Sequence, residues 1–126
     1  MKTNYLSQSM DSHIREEEKQ WAKIIASGNQ YAGLILIYDQ KLCAVAHEMI
    51  DCQDIPNQAN ILKKRIQKVI DLLDDSGYYF KVKESFEKII SELEEKEISS
   101  EKFKKLIEQI HSTSHELCDE LYNILI

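Results

Sequence analysis

The sequence predicts an all-α protein: an up-and-down antiparallel helical bundle of four long helices plus an N-terminal helix. Three observations carry this expectation. The 126 residues include only three glycines and one proline, too few for the many turns of a β-sandwich or barrel. Apolar residues recur at three- and four-residue intervals in successive stretches, the spacing that lines one face of a helix. The breaks between those stretches are short, so consecutive helices are expected to lie antiparallel. Hydrophobic residues make up 43% of the chain and charged residues 30%, the balance of a globular protein rather than a disordered tail. A chain of this length fits one domain, here expected as a flexible N-terminus over residues 1–10 and a single helical-bundle domain over 11–126. No internal repeat, low-complexity stretch or linker is visible.

Asp11 or Ser12 can cap a first helix carrying Ile14, Trp21 and Ile25, with Glu16, Glu17 and Glu18 near its positive end. Ser27, Gly28 and Asn29 end or bend it. Gln30 to about Gln53 is the most apolar segment, with Leu34, Ile35, Tyr38, Leu42, Val45, Ala46, Met49 and Ile50 covering more than half of the circumference. So wide an arc is expected of a central helix, buried either internally or across a homodimer. Asp54, Ile55, Pro56 and Asn57 form a turn, Pro56 suiting a first helical turn. The third helix carries Ala59, Leu62, Ile66, Val69 and Leu73, and Ser76 and Gly77 stop it. A fourth shows Val82, Phe86, Ile89 and Leu93. Ser99 is placed to cap the last helix, with Ile98 set to pack on Phe103 as a hydrophobic staple. That helix carries Phe103, Ile107, Ile110, Ser114, Leu117, Leu121 and Leu125.

The formal charge of −6 argues against nucleic acid, since affinity for phosphate backbones comes from clustered Lys and Arg. Lys63, Lys64, Arg65 and Lys68 are followed by Asp71, Asp74 and Asp75, and read as a solvated helix face. The first residues, "MKTNYLSQSMDSH", lack the apolar core of a signal peptide, and no apolar stretch approaches the roughly 20 residues that span a bilayer. No membrane contact is expected. The three cysteines make no disulfide framework. Cys43 and Cys52 on one helix would stand about 13 Å apart, too far to bridge, and a reducing cytoplasm is the expected location.

The stretch "IHSTSHELCDE" concentrates groups able to bind a metal or move a proton. At about 100° per residue, His111, His115, Cys118 and Tyr122 share one stripe of their helix, the spacing that offers ligands to zinc. The apolar centre of the same helix lies to one side, which makes the stripe a border between core and solvent, suited to half-buried His and Tyr. His47 and Cys43, one turn apart, are expected to project away from the apolar centre of the second helix. No CxxC or HExxH supplies a further ligand, and no GxSxG, P-loop or GxGxxG occurs. Glu92, Glu94, Glu95 and Glu97 read as solvating charge rather than as a catalytic pair.

Two stretches resemble known families. Ser114-His115-Glu116-Leu117 is similar to the core of the phospho-acceptor box of sensor histidine kinases, which implies phosphotransfer. The two part at Cys118-Asp119, where that family has a basic residue and then a threonine followed by proline. "GLILIYDQKL" and then "DIPNQANILKKRIQKVIDLL" resemble the first two long helices of flagellin export chaperones: a Leu/Ile-rich stretch with Tyr-Asp, an acidic turn, and a Leu/Ile helix. That resemblance implies a bundle holding an export substrate.

The expected function is a non-enzymatic protein-binding module without a cofactor or metal, an immunity- or antitoxin-type inhibitor of a basic toxin, with acidic residues steering the encounter. The expected partner-binding residues are Tyr78, Tyr79, Asp74, Asp75, Glu92 and Glu95, because Tyr is favoured at interfaces. The alternatives are a secretion chaperone of the flagellar type holding a helical substrate, and a metal-binding bundle using His111, His115 and Cys118.

Overall fold

A computed structural model describes residues 18–49 and 54–126 of the chain. Helical residues 18–26 form α1, followed by α2 (Gln30–Glu48), α3 (Ile55–Ser76), α4 (Val82–Leu93) and α5 (Ser100–Leu125). No strand occurs among the described residues. Packing pairs are α2 with α3, α3 with α4, α4 with α5, and α5 back with α2. The result is the all-α up-and-down bundle that the short breaks predict. Asp39 opposite Ser114 and His47 beside His111 fix α2 and α5 as antiparallel. The described part of α1 lies along the C-terminal half of α5, with Gln20 Nε2 donating to Asp119 Oδ1 at 3.2 Å and Lys23 Nζ to Tyr122 Oη at 3.3 Å.

The helix limits follow from cap chemistry. The Asn29 side chain accepts from the Ala32 N–H and starts α2, and Asp54 accepts from the Asn57 N–H with Pro56 in the first turn of α3. Gly77 ends α3 in the left-handed region at φ +80, a conformation that costs other residues more than glycine. Ser99 caps α5 by accepting from Lys102 N–H at 3.1 Å, and Ile98 packs half-buried on the core to which Phe103 belongs. The apolar faces predicted for α3 and α4 are buried throughout, and that of α5 is buried up to Leu121.

The cap at Asp11 or Ser12 and the packing of Ile14 lie outside the described residues, as do Ile50, Cys52 and the chain to Gln53. Two expectations change. In α1 the buried residue is Ile24, at 0% exposure, while Ile25 stands 64% exposed. Trp21 and Ile24 are three residues apart and share the face of α1 that packs on the core, and Ile25 falls on the next side. Finally, α2 is a member of the ring rather than its centre. It buries Ile35, Leu42 and Ala46 but leaves Leu34 at 42% and Ile37 at 50% exposure, because α3 and α5 cover only one side of it.

The core contains three buried polar residues, Asp39, Thr113 and Ser114. Ser114 Oγ donates to Asp39 Oδ1 at 2.7 Å, a directional contact that sets the register of α2 against α5. No helix among the described residues is long and apolar enough to cross a membrane.

The packing predicts a sharp contrast in stability. Truncating fully buried Phe86 to alanine lowers the unfolding free energy by about 3–5 kcal/mol, whereas Leu34→Ala, at a side chain 42% exposed, lowers it by about 1 kcal/mol. Denaturant titration of the two variants measures both.

Candidate functional site

The aromatic pair expected to bind a partner lies in the α3–α4 connection. After Gly77 turns the chain, the Tyr78 N–H donates to Ser76 Oγ at 3.3 Å. Tyr78 and Tyr79 remain exposed, Tyr79 at 74%, and Phe80 is buried and closes this end of the core. The N-terminus of α4 has no side-chain cap of its own. Glu120, from α5, takes that role: its two carboxylate oxygens accept from the Lys81 N–H at 2.9 Å and the Val82 N–H at 3.0 Å. A carboxylate placed on unsatisfied N–H groups at the positive end of a helix is favourable on both counts.

Asp74 is engaged within the fold. Lys83 Nζ lies 2.7 Å from its Oδ1 and joins α3 to α4. The hydrogen bond to Asp74 raises the Lys83 pKa, outweighing the opposing desolvation. Asp74, Tyr78, Tyr79, Lys83 and Glu87 help line a shallow cavity of about 270 Å³, and Asp75 is exposed nearby on α3.

Glu92 and Glu95 lie at the opposite end, where α4 stops and α5 begins. Glu95 pairs with Lys102, and Glu92 keeps Oε2 buried with no hydrogen-bond partner. The six expected partner-binding residues therefore divide between two ends: Asp74, Asp75, Tyr78 and Tyr79 at one, Glu92 and Glu95 at the other.

Besides Tyr78 and Tyr79, sequence reasoning missed six exposed apolar or aromatic side chains at the first end or half of the bundle. Ile25, Tyr31, Leu34, Ile37, Tyr78, Tyr79, Ile124 and Ile126 are the exposed large apolar or aromatic side chains among the described residues. All eight belong to the end or half of the bundle where α2 and α4 begin and where α1, α3 and α5 finish. The available signal was the arc of α2, wider than two neighbours can cover.

On α5, His111 is half-buried, Cys118 buried and His115 exposed. The Cys118 thiol donates to Gln20 Oε1 at 3.4 Å. His47 is exposed, as its wheel position suggests, and its ring meets that of His111 edge-on, with centroids 6.0 Å apart. The register between α2 and α5 brings the two rings together. Among the described residues no group of three His, Cys, Asp or Glu is arranged to hold a metal. Burial first, and then the neighbouring His47 and His115, depress the pKa of His111, whose Nε2 is buried without a hydrogen-bond partner.

Comparison of the chain with family models, with curated proteins and with solved structures finds no match. The surface itself carries the functional argument.

Three variants check this geometry. Glu120→Ala removes the cap on α4, costs about 1 kcal/mol and speeds hydrogen exchange at the amides of Lys81 and Val82. A histidine with a depressed folded-state pKa stabilises the fold while neutral, so its contribution is full above the ordinary value of about 6.5 and is lost as pH falls through the window below it. His111→Gln therefore flattens the decline in stability on acidification from neutral pH. In an NMR titration His47→Gln moves the His111 midpoint upward.

Proposed function

We propose that this protein is a non-enzymatic binding module that holds a helix of a partner protein against the apolar end of the bundle, as an export chaperone holds its substrate. The observation carrying this reading is that the eight exposed large apolar or aromatic side chains among the described residues all belong to that end or half of the bundle. An exposed apolar surface costs solubility and marks interaction sites when it is concentrated rather than scattered. A helix partner fits because anchors at three- and four-residue spacing on one helix match those on another. The residues at positions 31, 34 and 38 have that spacing on α2. Tyr78 and Tyr79 add aromatic groups of the kind enriched at interfaces.

An immunity- or antitoxin-type inhibitor of a basic toxin is less well supported by the same surface. Charge-led inhibition calls for a contiguous acidic face. Here Asp74 and Glu95 are each engaged by a lysine, and Glu92 and Glu95 stand at the other end from Asp75. The chaperone-like reading uses the groups that lack another role in the fold.

Site-directed photo-cross-linking in the native host tests this reading. A photoreactive residue at position 37 or 79 captures a partner protein, and one at Lys104, near the far end of α5, does not. Leu34→Asp combined with Ile37→Asp abolishes the capture while leaving circular dichroism unchanged. Capture from position 104 alone, or only of a second copy of this chain, overturns the assignment.

A further inference from the structure

The charged residues of the α2–α3 seam are ordered along it. Lys41 and Lys68 each place Nζ 5.2 Å from the centre of the Tyr38 ring, and exposed Lys64 and Arg65 lie one turn before Lys68 on α3. One and two turns after Lys68, exposed Asp71 and Asp75 share its side of the helix, and Asp71 accepts from Gln67 Nε2 at 2.9 Å. Among the described residues none of these charged groups forms an ion pair within the chain, in contrast to Lys83 and Lys102. On α2, exposed Tyr31 and Leu34 and half-buried Tyr38 are spaced to lie on one side of the helix. Glu48 ends α2 and Ile55 begins α3, so the two antiparallel helices, rising equally per residue, bring Leu34 level with Val69 and Ile70. That is the point on α3 where the charge changes sign. Leu34 therefore marks the middle of the seam, with Tyr38 and the cations on one side of it and Tyr31 and the carboxylates on the other.

We propose that the α2–α3 face docks a second copy of this chain about a twofold axis that runs across both helices beside Leu34. Rotation about such an axis lays each helix antiparallel to its counterpart. It sets Leu34 against Leu34 of the second copy and Tyr31 against Tyr38, and it brings Lys68 opposite Asp71 and Arg65 opposite Asp75, because all of these pairs are centred on one level of the seam. A face that changes sign about its own apolar centre complements itself when turned end for end. A parallel pairing would join the cationic ends to each other and the acidic ends likewise, and a uniformly acidic or basic helix would meet repulsion at one end. The face is about 30 Å long and about 20 Å across, on the order of 600 Å² per copy, near the low end for specific interfaces. Self-association of this face is independent of the partner-helix reading. Where both hold, the second copy covers Leu34 until a partner helix takes its place.

Sedimentation velocity of the full-length protein over a dilution series measures the association. The unmodified chain passes from monomer to dimer below about 100 μM, an affinity within reach of a small interface. Asp71→Lys with Asp75→Lys makes the α3 side of the face cationic throughout, and Arg65→Glu with Lys68→Glu makes it largely acidic. Each double variant dimerises at least about tenfold more weakly, since the twofold repeats every reversed contact. Mixed in equal amounts, the two variants associate with each other about as tightly as the unmodified chain does with itself, and Leu34→Asp added to either abolishes that pairing. Lys104→Glu with Lys105→Glu, near the start of α5, leaves the dissociation constant within about twofold. Circular dichroism checks that each variant keeps its helices, and the single variants Asp75→Lys and Arg65→Glu, mixed in the same way, replace any double variant that does not fold. An unmodified chain that stays monomeric at about 100 μM, association undiminished by either reversal, or variants that stay apart when mixed overturn the inference. Those results leave the partner-helix reading standing, because it is decided by capture in the host from positions 37 and 79.

Discussion

α2 carries apolar and aromatic side chains around more of its circumference than the two helices beside it can cover, and this mismatch governs what the rest of the molecule presents to its surroundings. In a four-helix ring each member buries the sector facing its neighbours and the centre. Ile35, Leu42 and Ala46 occupy that sector in α2, and Leu34 and Ile37 do not fit within it. Full burial of a leucine or isoleucine stabilises a fold by about 1.5–3 kcal/mol, so each of these half-exposed residues forgoes on the order of 1 kcal/mol. For a protein of ordinary marginal stability that is a noticeable fraction. The forgone burial is recovered when a second apolar surface covers the same residues, which links the packing of α2 directly to binding.

Holding that surface in a fixed shape falls largely to α5. From this one helix Ser114 sets the register of α2, Cys118, Asp119 and Tyr122 meet α1, and Glu120 caps α4. Each contact is polar and directional, whereas the apolar core around it tolerates small rotations. The placement of Leu34 therefore depends on Ser114 and Asp39 as well as on the leucines and isoleucines inside. Likewise the exposure of Tyr78 and Tyr79 depends on Phe80 anchoring the chain between the Ser76 turn and the Glu120 cap. A preorganised surface of this kind loses less entropy on binding than a flexible one.

What the sequence makes legible divides along a physical line. Local features are readable: the apolar spacing of α3, α4 and α5, the caps at Asp54 and Ser99, and the stop at Gly77 all depend on residues within a turn or two. Features that need the rotation of one helix against another are not. Ile24 rather than Ile25 is buried because α1 meets α5 at one angle, and both residues satisfy the apolar periodicity. His47 lies beside His111 because of the α2–α5 register, which no spacing within either helix records. Glu120 looks like one more surface carboxylate until α4 is brought to it across 38 residues of chain. The exposed apolar residues show the same division: the aromatic pair announces itself as a dipeptide, while Leu34 looks like ordinary core until the ring closes without it.

Net charge is a poor guide to such a surface, for a reason of scale. The 26 residues of α5 span about 39 Å at the usual rise, several times the screening length of about 8–10 Å in physiological salt. Glu92, Glu94, Glu95 and Glu97, at one end of the bundle, are therefore electrostatically remote from the apolar end. They add to the total of −6 and favour solubility, yet contribute little to the potential felt by a group docking beside Leu34. There the nearby charges decide: Lys41 and Lys68 flank the Tyr38 ring, and exposed Asp71 and Asp75 follow Lys68 on the same side of α3. The local potential along the α2–α3 seam therefore changes sign within a few turns, which the total of −6 does not record.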